Sequence, residues 1–257
     1  EVHADKHYLA FQNGSSTLFE CNDGGLYKTT DGGSLWTDIT NGMQISQMYR
    51  LGVSQTVDGE VLTGLQDNGT KLYNSSWYNV TGGDGMECII DYDNNNTQYG
   101  CMQYGVLKRT TNHWNSSTNI SDNITGSPVG EWITPYTLDP SDNETIYIGY
   151  KDVYKSTNRG TSWSQISNFS LPSNVNGLTS LAISESNNQV MYVTNKNTLW
   201  KTADGGSNWS DISSNLPNNL LTSRDLTYIA IKSNDPNTVW ITLGGYDGHN
   251  IYESTNG

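Results

Sequence analysis

Two carboxylates sit among glycines that would place them on loops. Asp67 lies in Gly64-Leu65-Gln66-Asp67-Asn68-Gly69, and Asp84 in Gly82-Gly83-Asp84-Gly85. A facing pair of this kind could perform glycoside hydrolysis, which needs carboxyls ~5–5.5 Å apart for retention or ~6.5–9.5 Å for inversion. The same stretches also read as turns in which Asp oxygens cap their own loop. His3-Ala4-Asp5-Lys6-His7 alternates, so on a strand His3, Asp5 and His7 share one side. With Asp23 they offer imidazole and carboxylate to a divalent cation, although a polar strand entry with His packed against the next blade is the preferred reading, since spacing alone implies no open site. Asp23, Gln66, Gln103, Tyr104, Trp132, Tyr150, Asp152, Arg224, Tyr246 and Asp247 combine stacking surfaces with hydrogen-bonding groups, as a sugar or peptide site requires. No nucleophile elbow, phosphate loop, dinucleotide fingerprint or Cys-x-x-Cys pair occurs, and no cofactor is expected.

Composition narrows the classes. The 257 residues carry 13 Lys+Arg against 26 Asp+Glu, a net charge of −13. Phosphate backbones demand a basic surface, so nucleic acid is not an expected partner. No apolar run approaches the ~18 residues of a membrane helix, and no membrane insertion is expected. Hydrophobic residues are only 34%, yet 8 Trp and 16 Tyr can build a core. Cys21, Cys88 and Cys101 give no disulfide framework. If residues 93–96 form a hairpin loop, Cys88 and Cys101 face each other, either bridged or as two small buried apolar residues.

The elements that would position these groups follow from a repeat. Thr29-Thr30-Asp31-Gly32-Gly33-Ser34-Leu35-Trp36 recurs as Thr202-Ala203-Asp204-Gly205-Gly206-Ser207-Asn208-Trp209 and, with Asn for Asp, as Ser156-Thr157-Asn158-Arg159-Gly160-Thr161-Ser162-Trp163. Thr110-Thr111-Asn112-His113-Trp114 reads as a shortened copy, the stretch from Gly69 to Trp77 as a copy without its Asp, and Ser254-Thr255-Asn256-Gly257 as the start of another. Each follows a short alternating strand, which follows a hairpin, and a fourth strand comes after the Trp. Four strands at a period of ~45 residues predict an all-β fold, a β-propeller of four-stranded antiparallel blades. About six units are visible, over roughly 3–40, 48–80, 86–115, 132–167, 178–213 and 226–257. The last lacks its final strand, and further blades of a larger propeller or parent protein are expected. Asp31, Gly33 and Trp36, Asn158, Gly160 and Trp163, and Asp204, Gly206 and Trp209 are read as structural staples of the turn between third and fourth strands.

These turns resemble the Asp-box (BNR-type) repeats of sialidases, sortilin-type receptors and xyloglucanase-type glycoside hydrolases. With His3-Ala4-Asp5-Lys6-His7, Asn22-Asp23-Gly24-Gly25, residues 64–70 and residues 82–87, the chain resembles a group of secreted bacterial sortilin-like proteins. The resemblance implies a secreted or cell-surface location and, for many members, type IX secretion. It does not imply catalysis, since enzymes, receptors and assembly factors share the box.

In such a fold the loops between second and third strands, and between blades, meet on one face, where ligands generally bind. The residues named above fall in those loops, and residues 115–132 form the longest insertion, a candidate lid. Sialidase chemistry is disfavoured. Of four Arg, Arg109 and Arg159 adjoin the boxes on the opposite face, Arg50 sits in a strand, and only Arg224 is well placed. The leading expectation is a glycan- or protein-binding scaffold module without catalysis in this segment. The alternatives are a polysaccharide glycoside hydrolase using Asp67 and Asp84, and a structural spacer of a large surface protein.

Overall fold

A computed structural model describes residues 2–3, 5–43, 46–171, 175–217, 220–222, 224–245 and 248–257. Short polar turns between alternating strands make each unit an antiparallel meander, and the described residues form six sheets. Sheet one comprises β1 (Lys6–Phe11), β2 (Leu18–Asn22), β3 (Gly25–Thr29) and β4 (Thr37–Asp38). Sheet two comprises β5 (Met48–Val53), β6 (Val61–Leu65), β7 (Gly69–Asn74) and β8 (Ser76–Thr81). Sheet three comprises β9 (Gly85–Ile90), β10 (Gln98–Met102), β11 (Val106–Thr110) and β12 (Thr118–Asn119). Sheet four comprises β13 (Tyr136–Asp139), β14 (Asp142–Gly149), β15 (Val153–Ser156) and β16 (Ser164–Gln165). Sheet five comprises β17 (Ser180–Ile183), β18 (Met191–Thr194), β19 (Leu199–Thr202) and β20 (Ser210–Asp211). Sheet six has β21 (Leu226–Lys232), β22 (Asp235–Leu243) and β23 (Ile251–Ser254).

The first strands of sheets two to six line a cavity of about 300 Å³ that includes Arg50, Glu87, Tyr136, Ser180 and Tyr228. The core lies between the sheets. Leu62 and Leu72 meet Cys88 and Ile90 between sheets two and three. Tyr99 and Leu107 meet Tyr136 and Ile148 between three and four. Tyr147 and Val153 meet Met191 and Trp200 between four and five, and Tyr192 and Leu199 meet Ile229 and Ile241 between five and six.

The repeated turn shows why its residue types recur. Asp31 Oδ1 accepts the N–H of Leu35 at 3.0 Å, Asn158 Oδ1 that of Ser162 at 2.8 Å, and Asp204 Oδ1 that of Asn208 at 2.8 Å. The hydroxyl two residues earlier accepts a second N–H, from Gly33, Gly160 or Gly206, at 2.8–3.1 Å. Those glycines have φ of +96°, +83° and +93°. A Cβ at Gly160 would lie 2.4 Å from Ile120, and one at Gly206 2.7 Å from Ile166. The indoles then reach the preceding sheet, Trp163 Nε1 donating to Ile120 O at 3.0 Å and Trp209 Nε1 to Ile166 O at 2.8 Å.

Two copies differ from their sequence reading. The turn at Thr110 is full length, because Asn112 Oδ1 accepts the N–H of Ser116 at 2.9 Å. Trp114 occupies the glycine position, with φ +62° and its N–H on Thr110 Oγ1. Its indole enters the joint between sheets two and three, donating to Gln98 Oε1 at 2.7 Å. The stretch from Gly69 to Trp77 is not a box. β7 and β8 join directly through Ser75 at φ +64°, and Trp77 lies against Tyr73 with ring centroids 5.1 Å apart. Cys88 and Cys101 are free: Cys88 pairs with Gly100 across the ladder, and a bulge separates Gly100 from Met102.

A polar clasp also joins neighbouring sheets. Buried carboxylates at the end of one sheet's first hairpin accept side-chain amides from the next. Asn95 and Gln98 donate to Glu60, Asn143 to Asp91, and Asn188 to Asp139. Burial opposes the charge of Asp139, but Ser141, Asn188 and Tyr147 outweigh it and hold its pKa below the ordinary value. A depressed folded pKa gives stability that is complete above about pH 4 and is lost as pH falls through the folded value. Asp139→Asn should therefore flatten the acid limb of a stability-versus-pH curve measured by urea unfolding. An unchanged limb would contradict this role.

Candidate functional site

The site is assembled from the loops after β2, β6 and β10 and those leading into β9 and β13. Backbone bonds bring them together: Gln103 N–H donates to Asp84 O at 3.2 Å, and Gly130 N–H to Tyr104 O at 3.0 Å. The opposite end carries the repeated turns, where Arg159 N–H donates to Glu144 O and Gly205 N–H to Gln189 O.

Asp67 has φ +57°, a left-handed conformation that Asp tolerates better than most residues. Its side chain is 11% exposed and its Oδ1 lies 3.0 Å from His3 Nε2. Oδ2 is buried with no hydrogen-bond partner. Burial raises the Asp67 pKa, His3 opposes the shift, and the charges of Asp84 and Asp23 add to it. Asp84 is committed differently: its Oδ1 accepts the Asp67 backbone N–H at 2.9 Å, and its own N–H donates to Gln103 Oε1 at 3.1 Å. Thus one carboxylate of the pair caps the turn that carries the other.

Asp23 contacts His7 and accepts from Gln66 Nε2 at 3.5 Å. The His7 hydrogen bond holds Asp23 below its usual pKa, and the same bond raises His7. Gln66 Oε1 accepts from Tyr49 Oη at 3.2 Å, and Tyr49 Oη accepts from Trp132 Nε1 at 3.1 Å. Trp132 packs edge-on against Tyr104 with centroids 5.2 Å apart. Both rings remain accessible, Tyr104 at 45% and Trp132 at 37%. A continuous chain of contacts therefore runs from an exposed aromatic pair through Tyr49 and Gln66 to Asp23 and His7. Tyr49 was not singled out from sequence, because its strand position gives no local sign of a bond to a residue 83 positions away.

Other expected site residues lie elsewhere. Tyr150 is 1% exposed and donates its Oη to Gly105 O at 2.6 Å, so it is core and not rim. Gly105, at φ +87°, leaves the room, since a Cβ there would lie 2.4 Å from the Tyr150 ring. Asp152 accepts from Ser167 Oγ at 2.7 Å and Phe169 N–H at 2.9 Å, which makes it a loop cap. Arg224, just before β21, donates to His249 O and Asn250 Oδ1 in the loop that leads into β23. Tyr246 and Asp247 lie outside the described residues. The insertion is partly core: Ile120 and Ile124 are buried, and Val129 is exposed.

No family model matches the chain, and no curated protein matches it. Solved structures do. An ancestral GH74 enzyme aligns over 97% of this chain and 36% of its own length, at 19% identity and TM-score 0.62. The chain is a β-propeller. The GH74 xyloglucanase from Xanthomonas campestris aligns over 96% of this propeller and 44% of its own length, at 16% identity and TM-score 0.60. An extracellular domain from B. thetaiotaomicron aligns over 95% and 33%, at 15% identity and TM-score 0.59. The chain thus spans less than half the length of these structures, and the likeness establishes the fold alone. Among the described residues no helix is long and apolar enough to cross a membrane.

Proposed function

We propose that this propeller is an extracellular glycan-binding module of the Asp-box, sortilin-like type, and that the face around Asp67 and Trp132 is its site. The observation that carries the reading is the exposed Tyr104–Trp132 pair, tied through Tyr49 and Gln66 to the Asp23 carboxylate. Aromatic faces cover the apolar side of a sugar ring, while carboxylates, amides and imidazoles bond its hydroxyls. The extracellular B. thetaiotaomicron domain and the xyloglucanase share this fold, which supports the location and the ligand class. Arg224 bonds its own blade, which agrees with a ligand that needs no arginine clamp.

Affinity electrophoresis against a panel of soluble polysaccharides, xyloglucan included, tests the reading. Trp132→Ala should weaken retention about tenfold, ~1.4 kcal/mol, with no change in the folding transition. Retention by no member of the panel, or equal retention by Trp132→Ala, would sink it.

Hydrolysis is the second reading, favoured by the raised pKa that burial gives Asp67, as a general acid requires. Its weakness is Asp84, whose carboxylate is bonded to the Asp67 backbone. We expect no reducing-end release. Release that Asp67→Asn abolishes while binding persists would make the module a glycoside hydrolase.

A further inference from the structure

We propose that the joint between sheets five and six is a seat for a tryptophan, brought in cis by an extended Trp-x-x-Ile segment of the same polypeptide that adds to β23 as a fourth strand. Three other joints each hold an indole. Trp114 enters the joint between sheets two and three, Trp163 that between three and four, and Trp209 that between four and five. The apolar cluster between sheets five and six contains no tryptophan. That joint has instead a cavity of about 710 Å³, walled by Leu199, Ile212 and Leu216 on one side and by Val239, Ile241 and Tyr252 on the other. An indole is a large apolar ring with a single donor, and it needs an apolar wall with one acceptor. Ile120, Ile166 and Ile212 hold the same register, each donating its N–H at 2.9 Å, to Leu107 O, Val153 O and Leu199 O. The carbonyls of the first two accept the indole N–H of Trp163 and Trp209. Ile120 O accepts the Asn123 N–H as well, so the Asn215 N–H on Ile212 O leaves a lone pair for an indole there.

The repeat defines the occupant. Trp36-Thr37-Asp38-Ile39, Trp163-Ser164-Gln165-Ile166 and Trp209-Ser210-Asp211-Ile212 share the pattern Trp-x-x-Ile. In sheets four and five the two residues between Trp and Ile form β16 and β20, which pair with β15 and β19. β23 pairs with β22, and among the described residues no strand covers its other edge, where Ile251 is exposed. The turn that leads into such a strand is already begun. Ser254 Oγ donates to Asn256 Oδ1 at 2.9 Å, as Ser156 Oγ does to Asn158 Oδ1. Gly257 N–H donates to Asn237 O at 2.9 Å, as Gly205 N–H does to Gln189 O. In the complete turns the Asn158 and Asp204 oxygens also accept an N–H four residues on, which carries the chain over to the joint. A segment continuous with Gly257 therefore meets the cavity at high effective concentration, whereas a free strand would bear the whole cost of its own ordering. The seat shares no residue with the Tyr104–Trp132 face, and stands whether or not a glycan binds.

The test adds Gly-Ser-Asn-Trp-Ser-Asp-Ile, the sequence of Gly206 to Ile212, directly after Gly257. A second protein carries the same extension with Ala in place of its Trp, and the unextended chain is measured alone and with the free peptide at equal concentration. Thermal unfolding and amide hydrogen exchange of β23 are the readouts. The Trp extension should raise Tm by about 5 °C, the scale expected for burying one indole in a chain of this size. It should also slow exchange across β23, and the Ala extension should do neither. The free peptide should leave both readouts unchanged. No Tm rise with the Trp extension, or an equal rise with Ala, would overturn the seat. A free peptide that stabilises as much as the attached one would overturn supply in cis and give the seat to a separate partner. So would a dimer of the unextended chain with β23 already protected, which would give it to a second copy.

Discussion

Glu60→Leu should lower stability by about 3–5 kcal/mol, the cost of breaking a buried charged network from one side. Glu60 is fully buried at the joint between sheets two and three. Its carboxylate accepts Gln98 Nε2 at 2.7 Å and Asn74 Nδ2 at 3.0 Å, and lies 2.9 Å from His113 Nε2. Leucine fills part of the volume but leaves these partners without their acceptor, and an unmade buried hydrogen bond costs about 1–3 kcal/mol. Glu60→Gln keeps the shape and one acceptor oxygen, so it should recover part of the loss. The measurement is guanidinium unfolding of the three proteins. Equal stability of wild type and Glu60→Leu would falsify the clasp as a stabilising device.

Gly64→Val should be as damaging for a different reason. A Cβ at position 64 would lie 2.0 Å from Met86 O and 2.5 Å from Gly85 C. Both neighbours are backbone, so no side-chain rotation relieves the clash. β6 can approach β9 this closely only without a side chain at that point. Overpacking in a tight core costs typically about 1–3 kcal/mol, and a backbone collision lies at or beyond the top of that range. Gly14→Ala is the contrast: φ is +73°, but nothing lies within 4 Å of its Cβ, so only local backbone strain is expected. A denaturation midpoint for Gly64→Val close to that of Gly14→Ala would show that the two sheets do not pack as described.

The propeller was legible because its signals are local. Asp31, Asn158 and Asp204 each bond an N–H four residues on, so the turn appears as a fixed spacing in the chain. The same locality misled at Trp114. Its ring type matched the box Trp, while the backbone register puts it at the glycine site. The clasp residues Glu60, Asp91 and Asp139 were not legible, since their partners on the next sheet lie 35–53 positions away. Asp23, Gln66, Gln103, Tyr104 and Trp132 were picked out from loop position alone, and the structure brings them to one end of the sheets. Tyr150 occupies the same kind of loop and faces inward, because only the gap beside Gly105 decides its direction. The turn reading of Asp84 and the carboxylate reading of Asp67 meet in one hydrogen bond, which no spacing rule reveals.

Hydroxyl-radical footprinting with the most strongly retained polysaccharide tests the central claim most directly, because it reports which face the ligand covers. The account predicts protection of Tyr104 and Trp132, with Trp36, Trp163 and Trp209 at the box end unchanged. Protection confined to the box end, or none at the Tyr104–Trp132 pair, would contradict it.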